Sequence, residues 1–115
     1  MTPDDSRASY RRVLLAHGQD VTLQRVTPNG TFTYDVRARV MGYSPQTTAG
    51  SAQQGGRKAI VLAEDVESSG FPLPFREGQD TLVANGKTMT IAAVNDATRR
   101  VAGVLIAYEF ELEGP

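Results

Sequence analysis

The side chains that could carry out catalysis or bind a metal ion are few in this 115-residue chain. His17 is the only histidine and there is no cysteine, so a zinc site would consist almost entirely of carboxylates. His17 falls at the end of a predicted helix on its apolar side, with no nucleophile near it in the sequence. A packed or dipole-stabilised histidine is therefore favoured over a catalytic one. The sequence predicts no enzyme, no metal site and no cofactor.

Two further motifs could bind ions or phosphate. Glu64, Asp65 and Glu67 are the densest acids, but they lack the alternate spacing around a glycine turn that hard-cation loops use. Helix-start or solvated surface charge is the favoured interpretation. The stretch 55–58, GGRK, superficially resembles a phosphate loop, yet that motif needs Lys-Ser/Thr directly before a helix, and here Ala59 begins a predicted strand. We therefore reject a phosphate loop.

Two basic pairs, Arg37 with Arg39 and Arg99 with Arg100, could contact phosphates or the acids of a partner. Solvated strand faces carry such pairs routinely, and a formal net charge of −1 gives no electrostatic argument for wrapping nucleic acid. The N-terminal segment has no apolar stretch behind its charges, and no apolar run approaches the roughly 20 residues that span a bilayer. These features predict a soluble, intracellularly made protein without a membrane partner.

One helix is predicted, at the N-terminus. Its apolar side recurs at i, i+3, i+4 and i+7, at Tyr10, Val13, Leu14 and His17. This spacing predicts a helix over 4–17. Thr2 followed by Pro3, or one of the next two aspartates, is expected to cap its start. Gly18 is expected to end it in the left-handed conformation.

After Gly18 the period of the pattern changes to two, which indicates strands. Alternation is clearest over 31–40, with Phe32 at the start of the apolar side and Val40 at its end. The dipeptide Asn85-Gly86 predicts a tight hairpin. Strands are expected within 20–43, 58–63, 80–94 and 101–112. About six closely spaced antiparallel strands in one domain, 1–115, predict a mainly β fold, a small barrel or a sandwich.

The segment 44–57, SPQTTAGSAQQGGR, is a long polar loop between two of these strands. It has no aromatic or large aliphatic residue and one charge. A loop of this length in a compact domain is usually either functional or disordered. Its polar groups and the nearby basic residues are the candidate interface residues: Tyr43, Gln46, Thr47, Thr48, Gln53, Gln54, Arg57, Arg37 and Arg39.

A series of short motifs runs along nearly the whole chain. They are YRRVL at 10–14, DVTLQR at 20–25, RARV…GY over 37–43, VLAED at 61–65, GFPLP at 70–74, DATRRVAG at 96–103 and IAYE at 106–109. In order and size this pattern resembles the head-completion, or head-closure (stopper), proteins of long-tailed bacteriophages, prophages and gene transfer agents.

The resemblance implies a β-barrel subunit that forms a homo-oligomeric ring of six or twelve copies in the neck of a virion. Its partners would be the portal or adaptor above, the tail terminator or tail tube below, and packaged double-stranded DNA in the channel. The segment 44–57 would project into that channel, where copies meet and close it. The protein would be made in the cytoplasm of the bacterial host.

Two alternatives stay open at this point. The chain could be a tail terminator or another neck ring protein of similar size and partners. It could also be an OB-like module that binds single-stranded nucleic acid, which would need aromatic and basic residues on an exposed sheet face. The aromatics at 32, 34, 108 and 110 fall on the apolar side of their alternations, as core residues would.

Overall fold

The computed structural model describes residues 2–42, 57–97 and 99–114. The elements in chain order are α1 (Pro3–His17), β1 (Gln19–Thr27), β2 (Gly30–Gly42), β3 (Arg57–Leu62), α2 (Ala63–Ser69), β4 (Thr81–Ala84), β5 (Lys87–Asn95), β6 (Arg100–Val101), β7 (Val104–Leu105) and β8 (Ala107–Glu113). The predicted N-terminal helix is therefore present, and a second, short helix follows β3.

Six strands form a closed antiparallel barrel in the order β1-β2-β3-β8-β5-β4. β6 and β7 form a separate two-stranded sheet. The predicted mainly β fold and its six-stranded barrel are confirmed, and the sandwich alternative is wrong. Closure removes the exposed sheet edges that would otherwise pair with other chains.

The alternating strands place one set of side chains inside the barrel. Val21 and Leu23 of β1 are buried there, as are Val36 and Ala38 of β2. Phe32 is an exception to the predicted face: it is 47% exposed, because it lies near the tip of the β1–β2 hairpin, where β2 has no pairing with β3. The alternation of apolar and polar residues thus identifies the side chains that face the core, whereas the strand ends extend beyond the core.

The last four residues of β3, at 59–62, are all apolar because both faces of the strand are covered there. Val61 points into the barrel core, whereas Leu62 packs in a second cluster with Leu14 of α1 and Ile106. A strand buried on both sides needs no polar alternation. The helix α1 is therefore held on the outside of the barrel by β3 and its neighbours.

Aromatic rings fill the barrel interior. Phe75 stacks on Phe71 at 4.7 Å and meets the edges of Phe110 at 4.9 Å and Tyr108 at 5.1 Å. Tyr34 contacts Phe71 edge to face at 5.1 Å. Edge-to-face and offset pairs of this kind favour close packing. The segment after α2, which carries Phe71 and Phe75, thus forms part of the core, as the packed-loop interpretation of its prolines requires.

Arg25 and Asp80 are buried in this core. The Arg25 Nε lies 2.9 Å from Asp80 Oδ1 and its Nη2 lies 2.7 Å from Oδ2. Arg25 also donates to the carbonyl oxygens of Pro72 and Pro74, and its guanidinium lies over the Phe71 ring. Asp80 Oδ2 accepts the backbone N–H of Arg76. Both charges are therefore satisfied by hydrogen bonds, as buried charges must be.

The two ends of α1 differ in how well the sequence predicted them. Thr2 and Asp5 form a reciprocal capping box, which confirms the predicted start. The prediction that α1 ends at Gly18 in the left-handed conformation is wrong, because Gly18 is extended, with φ −88°. The chain passes directly into β1, and a Cβ at this position would lie 2.4 Å from the Leu14 carbonyl oxygen and 2.9 Å from that of Ala38. Glycine is needed for close backbone approach.

The inward side of α1 is also rotated from the predicted one. Ser6 and Leu14 are buried and Tyr10 is half-buried, while Val13 and His17 are exposed. The packed interpretation of His17 is therefore wrong. In the parts of the chain that the structure describes, no helix is long and apolar enough to cross a membrane.

Two-residue turns connect three of the hairpins. Asn85 and Gly86 both have positive φ, which confirms the predicted Asn-Gly turn. Ala102 and Gly103 also have positive φ, and they form a β6–β7 turn that the sequence did not predict. The expected strand over 101–112 is consequently divided, and its barrel part begins at Ala107.

Candidate functional site

The long polar segment is inserted at one end of the barrel. Gly42, the last residue of β2, and Arg57, the first of β3, are register partners. The segment therefore leaves and re-enters the barrel at neighbouring positions. Six of the candidate interface residues lie outside the described residues: Tyr43, Gln46, Thr47, Thr48, Gln53 and Gln54. Arg57 is half-buried and also pairs with Leu112 of β8.

Arg37 stabilises the carboxyl end of α1. Its Nε donates to the Leu14 carbonyl oxygen at 2.9 Å, and its Nη2 donates to those of Gly18 and Leu15. The Leu15 carbonyl is among those that a helix end leaves without an intrahelical partner, and a cation there also complements the helix dipole. Arg37 thus has a structural role, with a further ion pair to Asp20 at 3.3 Å.

Arg39, two residues along β2, lies at an apolar groove between α1 and the outer face of β2 and β3. The groove has a volume of about 400 Å³. We name it the basic groove, and its lining residues are Ser9, Tyr10, Val13, Leu14, Arg39, Met41, Ile60 and Arg99. Arg39 is exposed, and its guanidinium makes no hydrogen bond or ion pair to any residue that the structure describes. It is thus available to a carboxylate from outside.

Arg99, the second cation of the basic groove, connects α1 to the barrel. Its Nη1 donates to Tyr10 Oη at 2.8 Å and its Nη2 to Glu109 Oε1 at 2.7 Å. Lys58 Nζ lies 3.6 Å from the other oxygen of Glu109. The hydrogen bond from Arg99 holds the pKa of Glu109 below its usual value, against the opposing effect of burial, with Lys58 assisting. Burial lowers the pKa of Arg99, but its bonds to Glu109 and Tyr10 outweigh this and raise it.

A second groove lies across the outer face of β8 and β5. Its volume is about 410 Å³, and its lining residues are Ala93, Val94, Asn95, Asp96, Ala97, Glu109 and Glu111. We name it the acidic groove. Asp96 and Glu111 are exposed, and within the described ranges their carboxylates make no hydrogen bond or ion pair. Of the acids in this groove, Glu109 alone forms ion pairs with cations among the described residues.

The turn 95–97 forms part of the lining of the acidic groove. Asn95 Oδ1 accepts the Ala97 backbone N–H at 2.9 Å, a local bond that fixes the turn. The Asp96 carbonyl oxygen accepts a hydrogen bond from Arg100 Nε at 2.7 Å. Asp96 and Ala97 are both exposed, and both line the acidic groove. Arg100 therefore has a structural role that its sequence position alone does not indicate.

The acids and the histidine that were candidates for metal binding or catalysis have structural positions instead. Arg11 Nη2 lies 3.1 Å from both Glu64 Oε1 and Asp65 Oδ1, so these acids join α2 to α1. His17 is exposed in the last turn of α1. Across 2–42, 57–97 and 99–114, no group of three or more histidine or acidic residues is arranged to hold a metal ion.

The sequence did not identify the two grooves. Arg99 was noticed as half of a basic pair, but its contacts with Tyr10 and Glu109 depend on how α1 packs over the barrel. Arg25 could have been found, since it continues the inward alternation of Val21 and Leu23. No protein-family model matches the chain, and a search of curated proteins finds no significant match.

Proposed function

We propose that this chain is a structural subunit of the neck of a tailed bacteriophage or related particle. Copies form a ring between the portal or adaptor and the tail, close the head on its DNA and provide the attachment for the tail. The segment 44–57 faces the channel. The subunit acts by position and contact, without catalysing a reaction.

The insertion of the polar segment between Gly42 and Arg57 carries this proposal. The other hairpins with register-paired ends need two residues, as at 28–29 and 85–86. Since Gly42 and Arg57 are partners, two residues would suffice to join them too. The longer connection is therefore not required by the barrel, and long loops on rigid scaffolds commonly carry function.

The surface of the barrel also supports an assembly role. The basic groove presents Arg39 and the acidic groove presents Asp96 and Glu111, and none of these charges is paired with another residue that the structure describes. Charge complementarity of this kind steers and orients protein association. Repeated weak contacts become strong when a ring closes.

An OB-like nucleic-acid module is less well supported. An OB-fold is a five-stranded, partly open barrel that stacks bases on exposed aromatic residues. Here six strands close the barrel, and Tyr34, Phe71, Tyr108 and Phe110 pack against its core. A salt-dependent gel shift with single-stranded DNA would restore this alternative.

The direct experiment replaces 43–56 by Asn-Gly in the assembled particle and measures DNA retention and tail attachment. A variant with Lys87→Gln, an exposed change on β5, serves as the control. We expect rings to form while filled heads lose DNA before the tail joins. Unchanged DNA retention and tail attachment would refute a closure role, and a reconstruction without this protein in the neck would refute the proposed function altogether.

A further inference from the structure

A third cavity lies at the end of the barrel where β5 ends and β8 begins. Its volume is about 420 Å³. Val94 near the end of β5 and Tyr108 near the start of β8 line it, together with Phe75 from the segment after α2. We name it the mouth cavity. Barrel mouths are places where proteins commonly bind small groups, so its lining was compared with the chemistry of possible ligands.

Tyr108 brings an unsatisfied hydroxyl group to the mouth cavity. The residue is 8% exposed, and its ring packs against Phe75 and Phe110. Its hydroxyl makes no hydrogen bond to any residue that the structure describes. Arg99 Nε is the one polar side-chain atom of the described residues that is fully enclosed without a partner, so the Tyr108 hydroxyl reaches open space. Because buried tyrosine hydroxyls usually have a partner, this one indicates a ligand in the cavity.

Carboxylates make the mouth cavity negative. Glu77 and Asp96 both line it. Glu77 Oε2 accepts the Val94 backbone N–H at 2.6 Å, which fixes this carboxylate at the cavity. The Asp96 carboxylate has no partner among the described residues. Burial raises the pKa of Tyr108, and the negative charges of Glu67 and Asp96 raise it further. The hydroxyl therefore lies in a region where the acids outweigh the bases.

The nearby cations of the described chain do not neutralise these acids. Arg100 is close enough to lower the pKa of Tyr108, but less than the two acids raise it. Its guanidinium donates to the carbonyl oxygens of Asp96 at 2.7 Å and Gly103 at 3.0 Å. Arg76 is exposed and is not among the described lining residues. A positive charge from outside would thus be favoured in the cavity.

We infer that the mouth cavity binds the guanidinium group of an arginine side chain from another polypeptide. A guanidinium is planar and stacks on aromatic rings, which Phe75 and Tyr108 supply. Its five N–H donors can be shared between the Tyr108 hydroxyl and the carboxylates of Glu77 and Asp96. Leu73, which is 40% exposed, also lines the cavity and offers an apolar wall for the methylene groups of the arginine. This inference goes beyond the proposed function and needs only the cavity.

Titration of the isotope-labelled chain with N-acetyl-arginine amide, followed by nuclear magnetic resonance, tests the site. We expect saturable shifts of the backbone signals around 73–77, 94–96 and 108. N-acetyl-citrulline amide, which has a similar shape and no charge, should bind at least about fivefold more weakly. Methylguanidinium, which lacks the long stem, should also bind at least about fivefold more weakly. Equal binding of citrulline would refute the need for charge, and equal binding of methylguanidinium would refute a side chain as the ligand.

Variants of the lining connect the binding to the cavity. Tyr108→Phe keeps the ring and removes the hydroxyl, and Asp96→Asn removes an exposed charge. Each should weaken binding of the arginine probe about fivefold. Glu111→Gln, an exposed acid of the acidic groove outside the lining of the mouth cavity, should leave binding unchanged.

Thermal unfolding checks that each variant retains its fold, and Asp96→Asn tests the site even if Tyr108→Phe is unstable. No saturable shift for the wild-type chain, or a folded variant of either lining residue that binds as tightly as the wild type, would overturn the inference. Such a failure would leave the proposed neck function standing, because the particle experiment tests that function through the segment 43–56.

Discussion

Arg25 and Asp80 lie 55 positions apart in the chain and form a two-point ion pair in the barrel core, with N–O distances of 2.9 and 2.7 Å. Arg25 also donates to the Pro72 and Pro74 carbonyl oxygens. One guanidinium therefore connects β1 to both ends of the segment between α2 and β4. That segment supplies Phe71 and Phe75 to the core, so the pair orders part of the hydrophobic interior.

Removing one member of this pair should be strongly destabilising. Arg25→Met leaves the Asp80 carboxylate buried without its cation, at an expected cost of about 3–5 kcal/mol in the free energy of unfolding. Urea denaturation at pH 7 measures this difference. Arg12→Met, the same change on an exposed helix face, should alter stability by less than about 0.5 kcal/mol. A loss below about 1 kcal/mol for Arg25→Met would show that the segment is held mainly by its aromatic residues.

The Arg99–Glu109 contact should make stability depend on pH in the acid range. The folded-state pKa of Glu109 is lowered, so its contribution is present above the unfolded pKa of about 4.3 and is lost as the pH falls through the folded value. Glu109→Gln should therefore destabilise the protein at pH 7 by about 1–2 kcal/mol and have a smaller effect at pH 3. Urea midpoints for both proteins across this range provide the measurement. A difference that is equal at both pH values would contradict the assignment.

Gly18 should not tolerate a side chain. A Cβ would lie 2.4 Å from the Leu14 carbonyl oxygen and 2.9 Å from the Ala38 carbonyl oxygen, and neither backbone group can turn away. We expect Gly18→Ala to cost about 2–3 kcal/mol through displacement of α1 from β2. Gly42→Ala is the matched control, because the nearest described atom to a Cβ there is the flexible Arg57 Nη1 at 3.4 Å. Thermal unfolding of both variants should separate them clearly, whereas equal melting temperatures would exclude the steric account.

The barrel should fold without its polar insertion. Joining Gly42 to Arg57 through Asn-Gly keeps the existing register and shortens the loop that folding must close. We expect the free energy of unfolding to stay within about 1 kcal/mol of the wild-type value or to rise. Denaturant unfolding and far-ultraviolet circular dichroism on the isolated chain test this. Loss of cooperative unfolding would mean that the segment contributes to the core.

Local patterns predicted most of the barrel. The alternation along β2, the Asn85-Gly86 turn and the capping of α1 each depend on residues close together in sequence, and the structure confirms them. The Ala102-Gly103 turn was missed because alanine rarely adopts a positive φ, here 51°. Without that turn, Val104 seemed to continue the apolar side of β8.

Features that depend on distant packing were not predicted. The inward position of Arg25 follows from strand period, but its partner Asp80 comes from another part of the chain. The end of α1 depends on the approach of Ala38, which no local helix rule includes. The basic groove likewise exists only once α1 lies across β2 and β3, so its lining could not be assembled from sequence spacing.

The aromatic cluster around Phe75 and Phe110 also limits where a passage could lie in an assembly of this protein. Each barrel is solid, because its inner side chains occupy the space that a wider barrel would leave as a lumen. In the ring that we propose, any passage would therefore lie between the subunits and follow the symmetry axis. Its width would depend on how many copies surround that axis, and its lining would come from the outer surfaces and connecting segments of the subunits.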